Sequence, residues 1–203
     1  MPIREYDFTL ILSGVDDITE EVCNALYEAG CDDATPGMRE GVVFLDFTRE
    51  AKSFEEAIAS AIRDVERAGV GARVTRVEPD ELVTMSDIAA RIGRTRENVR
   101  QMATGLRGPG GFPAPVAKLT KRSPIWRLMD VLRWLKDRQA AAVDEEELAQ
   151  AEVIAGANAL LEIRRVTVQT PPLRNLSRVL ATSEVDASKS SRKSGKRNGP
   201  GHK

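Results

Sequence analysis

Arg94, Thr95, Arg96, Asn98, Arg100 and Gln101 fall within eight residues, and Lys118, Lys121 and Arg122 within five. These side chains hold phosphates or read base edges. A guanidinium fork meets two acceptors, a carboxamide meets one donor and one acceptor, and an ammonium offers a point charge. Other chemistry is poorly supplied. The sole histidine is His202, next to last, and the only cysteines, Cys23 and Cys31, stand eight apart rather than as C-x-x-C. That leaves no zinc finger and no histidine-dependent triad, and no metal or cofactor is expected. Asp16 with Asp17 and Glu55 with Glu56 are adjacent carboxylates, which point apart on a helix and do not make an acid–base couple. Gly108 to Gly111 (GPGG) has neither the preceding strand nor the following Gly-Lys-Ser/Thr of a phosphate loop, so it reads as a flexible connector. The chain is not expected to be an enzyme.

The basic residues need elements to present them, and Val83 to Gly105 supplies two. Thr84 with Asp87 three residues later predicts a capping box, Ile88, Ala89 and Ile92 give one apolar face, and Gly93 predicts a left-handed end. Thr95 then caps a second helix, 95–104, whose inward stripe is Val99, Met102 and Ala103. Its outward arc is Glu97, Gln101 and Thr104, with Asn98 and Arg100 on the shoulders. Arg94 and Arg96 sit at its N-terminus, where unpaired backbone N–H groups already favour a phosphate. Two short helices on a tight glycine turn predict a helix-turn-helix.

Ile88, Ala89, Ile92, Gly93, Thr95, Val99 and Arg100 follow the pattern of the MerR and excisionase-like winged helix-turn-helix families, which residues 83–138 resemble. The resemblance implies a wing, in which Phe112 to Val116 (FPAPV) and Pro124 to Arg127 (PIWR) flank a basic turn with Lys118, Lys121 and Arg122. Leu128 to Gln139 then predicts a closing helix through Leu128, Val131, Leu132 and Leu135. The segment departs from the family at Met102, where a Trp is common, and in the glycine-rich stretch 105–111. The resemblance implies binding to double-stranded DNA, with Arg94, Thr95, Arg96, Asn98, Arg100, Gln101, Lys118, Lys121 and Arg122 at the interface.

Charge is segregated along the 203 residues in the same sense. Residues 1–80 carry 8 Lys/Arg against 18 Asp/Glu, 81–140 carry 12 against 5, 141–165 carry 2 against 6, and 166–203 carry 8 against 2. A polyanion is repelled by the first block and attracted by the second and fourth. Within the first block, Tyr6 to Leu12, Val42 to Thr48 and Ala72 to Val77 read as strands, and Ile18 to Ala29 and the segment from Ser53 as helices. In the second helix Glu56 takes the capping-box position and the buried stripe is Ala57, Ile58, Ala61, Ile62 and Val65. With a weak strand near Asp32 to Thr35 the order is β-α-β-β-α-β, which resembles the ferredoxin-like sandwich. Gly41 to Phe47 partly matches the first signature of RNA-recognition motifs. However, Val42 replaces an aromatic and Asp46 shares a face with Phe44, so RNA binding is not expected, and Phe44 or Phe47 belongs to the core.

Asp144 with Glu147 predicts a capping box for a helix to about Arg165, only partly amphipathic, with Leu148, Ala151, Ala155, Ala159 and Glu162 near one stripe and Ile154, Leu160 and Leu161 elsewhere, so packing on the front domain or on a second protomer is expected. Pro171 and Pro172 break the chain, Leu173 to Leu180 predicts a short helix, and Ser183 to Lys203 is polar and basic. No stretch reaches the ~18 consecutive apolar residues of a membrane span, and Met1 to Phe8 carries charge where a signal peptide is apolar, so a cytoplasmic, nucleoid-associated protein is expected. The expected fold is α+β: an acidic ferredoxin-like domain (1–80), a winged helix-turn-helix (83–139), a helical extension (144–181) and a disordered basic tail (182–203). The expected function is a sequence-specific transcriptional regulator, with a homodimer or a protein partner engaged through residues 1–80. Alternatives are an excisionase-like architectural accessory and an interaction adaptor with a non-binding scaffold.

Overall fold

The computed structural model describes residues 2–79, 81–118 and 123–169. The expected helix at 173–180, the tail 182–203, and Lys121 and Arg122 lie outside the described residues. The chain is α+β, with a β-α-β-β sheet and helix region at its N-terminus and further helices after it. By their contacts Met1–Glu162 form one unit and Ile163–Lys203 another. Two apolar cores lie in the first.

The first core is built on a four-stranded sheet. Strands β1 (Arg4–Ser13), β2 (Ala34–Arg39), β3 (Val42–Ala51) and β4 (Arg73–Glu78) stand in the order β2-β3-β1-β4, every neighbouring pair antiparallel. Helices α1 (Glu20–Glu28) and α2 (Phe54–Arg67) follow β1 and β3. Period-2 alternation turns Phe8, Leu10 and Leu12 of β1 and Val43, Leu45 and Phe47 of β3 to the buried side. In β4 the buried residues, Val74 and Val77, are three apart. A bulge opposite Ile11 and Leu12 absorbs the extra residue and brings both valines to the core. Ser53 caps α2 by accepting from the Glu56 N–H, but Glu56 accepts from Lys52 rather than from Ser53, so the box does not close.

The weak strand expected at 32–35 is β2, displaced to 34–39. It contains Pro36, which an edge strand tolerates, and Gly37. A Cβ on Gly37 would meet the Phe44 ring at 2.2 Å, so Phe44 is seated on this glycine. Phe47 points the other way and stacks on Phe8 with centroids 5.3 Å apart. Of the two phenylalanines, Phe47 is therefore the core residue.

The second core gathers β5 (Leu82–Thr84), α3 (Met85–Arg91), α4 (Arg96–Ala103), β6 (Ile125–Arg127) and α5 (Leu128–Asp137). Ile88, Val99, Trp126, Val131, Leu132 and Leu135 are its most buried side chains. β6 pairs with β5, from Leu82 opposite Arg127 to Thr84 opposite Ile125. Across the expected basic turn, among the described residues, the 112–117 side contributes a bridge between Ala117 and Ile125 and a bond from the Val116 N–H to the Ile125 carbonyl. Two prolines, Pro113 and Pro115, remove the donors a ladder needs there. The segment is held by aromatics instead. Phe112 packs edge-on against Trp126 and Trp134, whose indole N–H groups donate to Pro113 O and Gly110 O, both at 3.0 Å. The GPGG connector is pinned through Gly110.

Helix α6 (Glu145–Gln169) serves both cores. Leu148 and Ala151 close the second, whereas Ile154 and Leu161 enter the first. Of the residues expected near one stripe, Leu148, Ala151 and Ala155 are buried but Ala159 and Glu162 are exposed, whereas Ile154 and Leu161, expected off that stripe, are buried against the front region together with Asn158. A helix that meets two cores in succession rotates its buried face part way along, so no one straight stripe describes it. Asp144 caps it through the Glu146 N–H at 2.9 Å, while Glu147 forms an ion pair with Arg91.

Candidate nucleic-acid interface

Local chemistry sets the geometry of α3 and α4. The Thr84 N–H donates to Asp87 Oδ2 at 2.8 Å and the Thr84 hydroxyl caps the Asp87 N–H, which closes a reciprocal box. The Thr84 N–H first, and second the Thr84 hydroxyl, which donates to Asp87 Oδ2 at 2.7 Å, hold the Asp87 carboxyl below the usual aspartate range. At the other end Gly93 has φ +61°, and the Arg94 N–H reaches back to Ala89 O at 2.9 Å. That reversal needs a residue at ease in the left-handed region. Thr95 Oγ1 then accepts from the Asn98 N–H at 3.2 Å and starts α4.

The apolar side of α4 is fixed by Val99, fully buried, and by Met102 and Ala103. Its opposite side carries Arg96, Glu97, Arg100 and Thr104, all exposed, with Asn98 and Gln101 half-buried. The nine residues expected at the interface fare differently. Arg94, Thr95, Arg96 and Arg100 are exposed on or just before α4, although the Thr95 hydroxyl is already used as a cap. Lys118 is exposed with φ +54°. Lys121 and Arg122 are not among the described residues. Arg96 lines a cleft of about 370 Å³ with Thr84, Ser86, Ser123 and Pro124. The start of α4 and the segment entering β6 therefore share one concave surface.

Ion pairs divide the basic residues into two sets. Arg91 pairs with Glu147, Arg133 with Glu152 at 2.7 Å and Lys136 with Glu145 at 2.5 Å, so the acidic face of α6 neutralises these three. Arg94, Arg96 and Lys118 make no ion pair among the described residues. Arg100 is engaged on its own helix, where Nε and Nη2 donate to the two oxygens of Glu97 at 2.8 and 2.6 Å. Gln101 donates to the same carboxylate at 3.2 Å. The Arg100 bonds are the main reason that the Glu97 carboxyl is held down at about 2. The i, i+3 spacing of Glu97 and Arg100 is the signal for this pair, and reading outward positions one at a time overlooks it.

A second polar cluster is not legible in sequence order because its parts are distant. Arg49, on the buried side of β3, donates to Asp33 through Nε and Nη2 at 2.7 and 2.9 Å, to Asp64 at 2.8 Å, to Ser60 at 3.2 Å and to Gly30 O at 2.6 Å. These five bonds match the five N–H groups of a guanidinium, so none remains for a ligand. The cluster is structural. Neighbouring Cys31 is buried, and burial pushes its thiol up to about 11. Among the described residues no group of three or more His, Cys, Asp or Glu side chains is placed to hold a metal, and no helix is long and apolar enough to cross a membrane. Compared with known proteins, the chain matches no family model, no curated protein and no solved structure.

Proposed function

We propose that the chain is a sequence-specific duplex DNA-binding protein, a transcriptional regulator that enters the major groove with α4. In this reading α3 and α4 are a helix-turn-helix, the segment between α4 and β6 is its wing, and the β-α-β-β-α-β region is a ferredoxin-like domain for a second copy or a protein partner. One observation carries the reading: α6 neutralises Arg91, Arg133 and Lys136, while Arg94 and Arg96 stay exposed and make no ion pair among the described residues at the start of α4. Phosphate binding needs cations left free by the fold, and base reading needs forked or amide side chains beside them. Arg100 and Gln101 supply the latter. The MerR and excisionase-like pattern of residues 83–138 agrees with this placement. It adds an expectation of paired half-sites one helical turn apart.

The test is a gel shift on random duplexes at two salt concentrations with the wild type, Arg96→Ala and Arg94→Ala. Binding is expected to weaken with salt, and each substitution to weaken it on all duplexes by up to about 1 kcal/mol for a phosphate contact, more for a base contact. Wild-type protein that fails to shift any duplex at low salt overturns the proposal. Equal affinity in both variants removes the start of α4 from the interface.

A further inference from the structure

A carboxylate in the middle of the outward face of α4 is costly for a surface that must meet a polyanion, and its contacts supply a reason for it. Glu97 holds Arg100 from one side only. The bonds run from Nε to Oε2 and from Nη2 to Oε1, and both side chains remain about half exposed, 47% for Arg100 and 56% for Glu97. Those two bonds consume the Nε edge of the guanidinium. The end of the fork, one N–H of Nη1 and the second N–H of Nη2, keeps two nearly parallel donors. That spacing suits two acceptors side by side. In the major groove the base edge that presents such a pair is guanine, through N7 and O6.

Resting on the duplex reading above, we propose that Arg100 reads a guanine in the major groove and that Glu97 is its positioning residue. The carboxylate acts in two ways. It fixes a long, rotamer-rich side chain before binding, which lowers the ordering cost of a bidentate contact. It also repels a phosphate that would otherwise take the same guanidinium, which disfavours every sequence-independent pose. Gln101 supports the arrangement by donating to Oε1, the oxygen that also takes Nη2. Glu97 is ionised near neutral pH, its carboxyl being held at about 2.

The experiment is selection from a randomised duplex library, followed by competition between the selected duplex and single-base variants, for the wild type, Arg100→Lys and Glu97→Ala. Both residues are exposed, and circular dichroism checks that the fold is unchanged. The wild type is expected to prefer guanine over other bases at one position per site by about 5- to 100-fold. Arg100→Lys keeps the charge and loses the fork, so random-duplex affinity should persist while the guanine preference falls several-fold, because a lysine ammonium still donates to N7 and O6 but without the fork's fixed geometry. Glu97→Ala should raise random-duplex affinity and cut the guanine preference several-fold. A wild type that binds no duplex overturns both this inference and the duplex reading. A guanine preference undiminished in Arg100→Lys, or a wild type with none, overturns the inference alone. Loss in Arg100→Lys with full retention in Glu97→Ala overturns the role of Glu97.

Discussion

The carboxamide of Asn158 is bonded to both backbone groups of Val77: Oδ1 accepts the N–H at 2.8 Å and Nδ2 donates to the C=O at 3.0 Å. Val77 lies on β4, an edge strand of the four-stranded sheet, and an amide side chain is the closest side-chain mimic of the backbone a further strand would bring. Asn158 is buried beside Ile154 and Leu161 in the stretch of α6 that faces the first core. One turn or two earlier the same helix covers the second core with Leu148 and Ala151. Through this bond pair the helix that neutralises the back of the basic region is also locked to the acidic sheet.

Asn158→Ala is expected to destabilise the protein by about 2–6 kcal/mol, because it leaves a buried N–H and a buried C=O without partners, each costing about 1–3 kcal/mol. Urea unfolding by circular dichroism measures it. A loss under about 0.5 kcal/mol would mean that water satisfies Val77 and the bond pair adds little.

Arg49→Met removes the one cation shared by Asp33 and Asp64. Breaking a buried pair from one side costs about 3–5 kcal/mol, since the carboxylates are left unpaired. Adding Asp33→Asn and Asp64→Asn to Arg49→Met is expected to recover part of that loss, and a triple variant less stable than the single one would contradict the assignment. Chemical denaturation of the three proteins decides it.

These two clusters also mark where reading the chain in order stops being sufficient. Ser53, Thr84 and Thr95 cap helices where their spacing predicts, and Gly93 turns the chain between α3 and α4, because each signal acts within a few residues. Leu82–Thr84 pairs with a strand more than forty residues away, and a strand this short gives alternation no room to register. Asn158 reads locally as a poor helix former, and its reason is a strand edge eighty-one positions earlier. The same division holds at the candidate site on α4. Exposure of Arg94, Arg96 and Arg100 follows from the burial of Val99 and Met102 on one helix, but which cations α6 neutralises depends on how α6 packs.

The two thiols should separate chemically. Cys31 is buried and its thiol is pushed up to about 11, so near neutral pH roughly one molecule in ten thousand carries a thiolate there. Cys23 is only half-buried. Alkylation of the native protein near neutral pH, followed by intact mass and peptide mapping, is expected to label Cys23 first and Cys31 only after unfolding. Equal rates at both positions would show that the loop bearing Cys31 opens readily.

The box that starts α3 should make stability depend on acid in a defined sense. The Asp87 carboxyl is held below the usual aspartate range by the Thr84 N–H and hydroxyl, so its folded pKa lies below its unfolded one. Such a group contributes stability that is complete above the unfolded pKa and is lost as pH falls through the folded one. Asp87 is exposed, and solvent screening keeps the contribution to about 0.5–1 kcal/mol, the scale of an exposed cap. Asp87→Asn keeps the size and an acceptor oxygen but not the charge. Its deficit relative to the wild type is therefore expected near neutral pH and should shrink towards zero as both are acidified through the unfolded and then the folded pKa of Asp87. Denaturation curves near neutral pH and in acid measure it. A deficit that grows in acid would show that the carboxylate is disfavoured in the folded state, and the box would then not be what starts α3.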